Sequence, residues 1–195
     1  MPIRKQMQRR DEPNSIRFIT ASCNQRLNLF ASDRIRAVFA DSLAAAREKH
    51  GFELFAWVLM PNHFHLLMRP CRVAHGGDIK PLSPMLASIK QGVSQRVIPG
   101  WKRLNAPILP RLVDSDGSIR FWQPGGGFDR TVRDLTEFTK EVKYIHRNPV
   151  ARGLVERPED WVWSSVHWWM GSREQPVKCD PPPGKLDWER WKGFM

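Results

Sequence analysis

The chain has 195 residues, 41% of them hydrophobic, and carries a formal net charge of +11 with a pI near 10.2. That length suits a single domain with tails. No apolar run reaches the ~18 residues of a membrane span, and "MPIRKQMQRR" lacks the apolar stretch of a signal peptide. The three cysteines, Cys23, Cys71 and Cys179, are odd in number, scattered and without a CxxC, which argues against a disulfide framework and a cysteine zinc site. These features point to a cytoplasmic protein with a polyanionic partner, most often nucleic acid.

In chain order, "SIRFITASC" (15–23) alternates as a strand does. "ASDRIRAVFADSLAAAREKHG" reads as a helix capped by Ser32 or Asp33, with a stripe of Ile35, Val38, Phe39, Leu43 and Ala46, ended by Gly51. "FELFAWVLM" and "HFHLLMR", joined at Pro61-Asn62, form a hairpin of two buried strands. A second helix covers "LSPMLASIKQGVSQRVI", with Pro84 tolerated in its first turn. Residues 99–119 are loop-rich, "IRFWQ" is a short strand, and "PGGGFDR" is a turn, since it lacks the GK[ST] of a phosphate loop. "TVRDLTEFTKEVKYIHRN" is a third helix, stopped or kinked at Pro149. Its apolar stripe runs Val132, Leu135, Phe138, Val142, Ile145. A short strand follows around "LVERPEDWVWSS".

The order β-α-β-β-α-β with an extra helix is ferredoxin-like, an α+β fold with an antiparallel, RRM-like sheet and helices on one face. The expected organisation is a basic arm over 1–14, one domain over 15–170 and a proline-rich tail over 171–195. Six of the nine tryptophans fall after residue 160 among Arg and Lys, a mixture that suits stacking on unpaired bases, although most tryptophans serve in cores.

His63 and His65 are two apart on a strand, so they project side by side from one face while Phe64 and Leu66 point the other way. Such a pair is a natural start to a metal site, against the plainer role of packing, and it needs a third ligand from elsewhere. On the third helix Tyr144, the only tyrosine, lies one turn from Asn148. It sits off the apolar stripe, on an edge shared with Glu137 and Glu141.

"WVLMPNHFHLLMRP", "YIHRNPVARGLV" and "WVWSSV" together resemble the REP-associated tyrosine transposases, a domesticated branch of the HUH single-tyrosine transposases, from about Ile16 to Trp169. "FWQPGGGFDR" departs from the family in its glycine run, and "VARGLV" reverses the usual Arg-Ala order. The resemblance implies the HUH endonuclease fold and metal-dependent cleavage and rejoining of single-stranded DNA through a 5′-phosphotyrosine. It implies Tyr144 as nucleophile and His63, His65 and Asn148 as ligands of Mg2+ or Mn2+. The base is open, Glu137 and Glu141 being the acids on that helix face. The implied partner is single-stranded or hairpin DNA from REP-like palindromes, in the cytoplasm with the nucleoid, bound by a monomer or homodimer. Arg4, Lys5, Arg9 and Arg10 of the arm, with Trp122, Arg147 and Arg152, are the expected DNA contacts. Two other readings keep part of this pattern: a non-catalytic RRM-like binding protein, and a metal-dependent nuclease that uses water.

Overall fold

In the computed structural model, which describes residues 15–70, 81–125, 127–172 and 174–184, the apolar strand segments assemble into one four-stranded antiparallel sheet. β1 (Ile16–Ser22) lies between β3 (His63–Arg69) and β4 (Phe128–Val132), and β2 (Glu53–Met60) closes the hairpin with β3. With α1 (Asp33–His50) after β1 and α2 (Leu82–Arg103) after β3, the order β2-β3-β1-β4 is the expected ferredoxin-like one. It sets His63 and His65 on a central strand.

One feature of that expectation is corrected. The helices do not share a face, because α3 (Leu135–Ala151) packs on the side opposite α1 and α2. Neighbouring residues of β3 show this directly, since side chains alternate across a sheet. The Phe64 ring meets Phe39 of α1 at 5.1 Å, whereas the His65 ring meets Tyr144 of α3 at 5.3 Å. A bulge at Phe55 adds one residue to β2 and turns its ring onto Phe138 of α3, 5.5 Å away. Between α1 and α2, Gly92 permits close approach, because a Cβ there would stand 2.9 Å from the Ser42 hydroxyl.

Capping decides the helix boundaries. Ser32 accepts a hydrogen bond from the Ile35 amide and Gly51 closes α1 at φ 66°, as the sequence indicates. α3 begins later than expected, since the Asp134 carboxylate accepts the Glu137 amide at 2.8 Å and makes Asp134 the cap. Val132, counted in the helical stripe, is a buried residue of β4, and Leu135 is exposed. Pro149 does not end α3, because it falls in the last turn, where Arg152 N–H still reaches the Asn148 carbonyl. α2 likewise continues past Pro99.

"IRFWQ" is not a sheet strand. It makes only isolated bridges, Val113 to Ile119 and Cys23 to Trp122, and the fourth strand is Phe128–Val132. β4 pairs with β1 along Ile16–Thr20, and a buried ion pair links the two strands: Arg17 of β1 donates to both Asp129 carboxylate oxygens at 2.9 and 2.8 Å. Gly127, at φ 76°, makes the entry to β4 possible, since a Cβ there would fall 2.2 Å from the Thr20 carbonyl oxygen.

The strand expected near 154–165 is instead a 3-10 turn, Pro158–Asp160, followed by an irregular run along β2. Leu59 N–H donates to the Trp163 carbonyl and Ser165 N–H to that of Trp57. Farther along the same edge, Asp180 accepts the Leu54 amide, donates its own amide to the Leu54 carbonyl, and pairs with Arg47 at 2.7 Å. Val177 and Cys179 are buried beside it. The outer edge of β2 is thereby covered rather than left open to another strand. No helix among the described residues is long and apolar enough to cross a membrane.

Candidate active site

The pleat and the register of β3 place the two imidazoles. His65 is paired with Thr20 of β1, whose hydroxyl lies 2.7 Å from His65 Nδ1. His63 Nδ1 lies 2.6 Å from Asn62 Oδ1, and the Asn62 amide is oriented by donating its Nδ2 to the Arg26 carbonyl at 3.2 Å. An amide oxygen only accepts, so His63 carries its proton on Nδ1. The Thr20 hydroxyl can accept in the same way from His65. With those tautomers the two Nε2 atoms, 3.1 Å apart, direct lone pairs at a common point.

Burial holds both rings neutral. His65 is almost fully buried, and its pKa falls to about 3, by desolvation first and then by His63 and Arg152. His63 falls to about 4 through desolvation, then the charges of Arg152 and Arg26. Neutral imidazoles are the form that ligates metals.

Asn148 completes the arrangement from above. Its Nδ2 is 3.2 Å from His65 Nε2, and its buried Oδ1 has no hydrogen-bond partner among the described residues. A buried amide oxygen without a partner costs about 1–3 kcal/mol, and a half-turn of the amide brings it to the side of the imidazoles. Two Nε2 lone pairs and an orphaned oxygen are a donor set that fits a divalent cation. No group of three or more His, Cys, Asp or Glu with metal-site geometry occurs among the described residues, and the polar side chain nearest the His65 Nε2 besides His63 is the Asn148 amide.

Tyr144 stands one turn before Asn148 and is half exposed. Its ring packs edge-on against His65 at 5.3 Å and Phe18 at 5.7 Å, while Phe18 stacks on His65 at 5.4 Å. Arg130 lies over the Phe18 ring at 5.8 Å. The phenol ring is thus held beside the imidazole of His65 by its packing.

The two acids of the same helix are engaged elsewhere. Glu137 bonds Arg133, which holds its carboxyl down to about 2 and makes it a poor proton acceptor. Glu141 pairs with Arg130, and burial raises its pKa. Trp122, expected as a DNA contact, is a core residue instead: it is 8% exposed, packed on Phe30, Phe64 and Phe121, and donates to the Lys90 carbonyl at 2.8 Å. Arg147 and Arg152 are exposed, Arg152 beside His63. Arg4, Lys5, Arg9 and Arg10 lie outside the described residues, as do Trp188 and Trp191. Of the other late tryptophans, Trp161 and Trp163 bond Leu59 and Asp33, and Trp168 and Trp169 are buried. Sequence reasoning missed Thr20, Asn62, Phe18 and Arg26. Asn62 had a signal, being the turn residue next to His63; the others meet the histidines only through strand register and loop geometry.

The fold thus lays the helix that carries Tyr144 across a ferredoxin-like sheet whose central strand bears the paired histidines. The chain aligns with a solved REP-associated tyrosine transposase bound to a REP hairpin at TM-score 0.66 and 20% identity, covering 94% of this chain and 96% of that one. Over 150 residues it is 26% identical to a Haemophilus influenzae protein provisionally named REP-associated tyrosine transposase, spanning 77% of this chain and 78% of the relative. No protein-family model matches the chain. The sequence relative and the fold neighbour carry the same name, and each is what this chain is similar to.

Proposed function

We propose that the protein is a REP-associated tyrosine transposase that cuts and rejoins single-stranded DNA at palindromic hairpins. The observation that carries this reading is the meeting of Tyr144, Asn148, His63 and His65 at one point, from two elements distant in sequence. His63 and His65 would hold Mg2+ or Mn2+ through Nε2, and Asn148 through Oδ1. Such a cation supplies polarisation of the scissile phosphate and stabilisation of the departing oxygen.

The Tyr144 oxygen attacks the phosphorus, the O–P bond forms as the P–O3′ bond breaks, and a 3′-hydroxyl leaves. The 5′-phosphotyrosine keeps the bond energy for the reverse attack by a 3′-hydroxyl. Packing of the Tyr144 ring on Phe18 and His65 limits its rotation, which is where orientation lowers the barrier. The binding-module reading needs an exposed aromatic sheet face, and here α3 lies over that face.

Incubation with single-stranded hairpin DNA and Mn2+, followed by denaturing electrophoresis, tests the reading. Wild type is expected to give a covalent protein–DNA species and Tyr144→Phe none, with DNA affinity within about twofold. Cleavage by Tyr144→Phe at the wild-type rate would mean that water is the nucleophile.

A further inference from the structure

Beside His63, on the side toward the β2–β3 turn, lies a cavity of about 170 Å3 walled by Arg26, Asn28, Met60, Pro61, Asn62, Arg152 and Leu154. Its charge is one-sided. Arg26 and Arg152 are both exposed, and neither has a carboxylate partner among the described residues, although many other arginines do. No acid lines the cavity.

The backbone holds Arg26 there at a cost. Gln25 and Arg26 both have left-handed φ angles, 52° and 55°, which non-glycine residues adopt only when their surroundings enforce it. Here the Asn62 side chain grips the Arg26 carbonyl, and Arg26 N–H reaches the Cys23 carbonyl at 3.0 Å. The amide that orients His63 therefore also positions Arg26. On the other wall, Arg152 caps α3 one turn after Asn148, itself one turn after Tyr144. Tyr144, Asn148 and Arg152 thus follow each other along one side of the helix, about 6 Å of rise apart.

We propose that Arg26 and Arg152 clamp a backbone phosphate of the DNA strand neighbouring the one Tyr144 attacks, and so set which linkage reaches the nucleophile. Two unpaired guanidiniums over a carboxylate-free cavity match a phosphate in charge and in hydrogen-bond geometry. The cavity admits a phosphate with a few waters, at ~30 Å3 per water. This clamp rests on the transposase reading for the identity of the strand.

The test measures binding without cleavage, in EDTA, for hairpin oligonucleotides that each carry one uncharged methylphosphonate linkage. Wild type is expected to lose about tenfold in affinity at one linkage next to the cleavage position, the size of a charged hydrogen bond. In Arg26→Gln and Arg152→Gln, that same linkage should cause no further loss, whereas the surface control Arg34→Gln should add to every linkage alike. Additivity at all linkages in both arginine variants overturns the proposal. So does competition by millimolar inorganic phosphate that depends on Arg26 without any linkage effect, because the cavity would then serve free phosphate. Coupling at one linkage in a protein that forms no covalent adduct would leave the clamp standing and sink the transposase reading alone.

Discussion

His63 and His65 face each other through Nε2 at 3.1 Å, while their Nδ1 atoms are tied to Asn62 and Thr20, respectively. Two lone pairs at that distance repel unless a cation lies between them. In the proposed metal site, each ring's outer partner would orient its Nε2 toward the cation.

Asn62→Ala removes the acceptor that keeps the His63 proton on Nδ1. Mn2+ affinity is expected to fall 10- to 100-fold, the usual cost of losing such a partner. Calorimetric titration of Mn2+ into wild type and variant measures this. Equal affinities would show that the Asn62 contact does not set the tautomer.

Asn148→Asp should keep or strengthen Mn2+ binding, because a carboxylate is the better ligand for a hard cation. Asn148→Ala should weaken it and recover partial DNA cleavage at high Mn2+. If alanine lowers activity equally at every Mn2+ concentration and also lowers Tm, Asn148 serves the helix end and not the metal.

Asp129→Ala removes the carboxylate from a buried Arg17 guanidinium, which keeps its bond to the Thr131 hydroxyl at 3.0 Å, and both side chains of the pair are almost wholly enclosed. Breaking such a pair costs about 3–5 kcal/mol. Urea unfolding should register the loss, and a change under about 1 kcal/mol would show that Arg17 finds water instead.

Stability of the metal-free protein should fall with acid. His63, His65 and His146 have pKa values lowered from 6.5 to about 4, 3 and 3, chiefly by burial. The unfolded chain takes up protons below pH ~6.5 that the fold refuses, so stability is full above that pH and is lost as pH falls toward 4. Thermal unfolding in EDTA should show Tm declining progressively from pH 6.5 to 4. A Tm that stays level from 6.5 to 5 would mean that these rings are charged in the fold.

Much of the architecture was legible in the sequence because it depends on local chemistry. Alternation made β1, two apolar runs joined at Pro61-Asn62 made β2 and β3, the 3.6-residue stripe and its Ser32 and Gly51 caps made α1, and i, i+2 spacing put His63 and His65 on one face. The pairing of Tyr144 with Asn148 was equally local, one helical turn apart. Where local signals compete, only the folded chain decides. Val132 satisfies a helical stripe and a strand pleat alike, and the Asp134 cap and the Arg17–Asp129 pair settle it as strand. Trp122 reads as a DNA contact until the cluster of Phe30, Phe64 and Phe121 around it leaves it buried. The rest of the site could not be read at all from spacing. Thr20 meets His65 across a ladder 45 residues wide, Asn148 meets it from 83 residues away, and Arg26 reaches His63 through a strained loop. Such contacts are set by strand register and by the face on which α3 lands, and these follow from how the whole core packs.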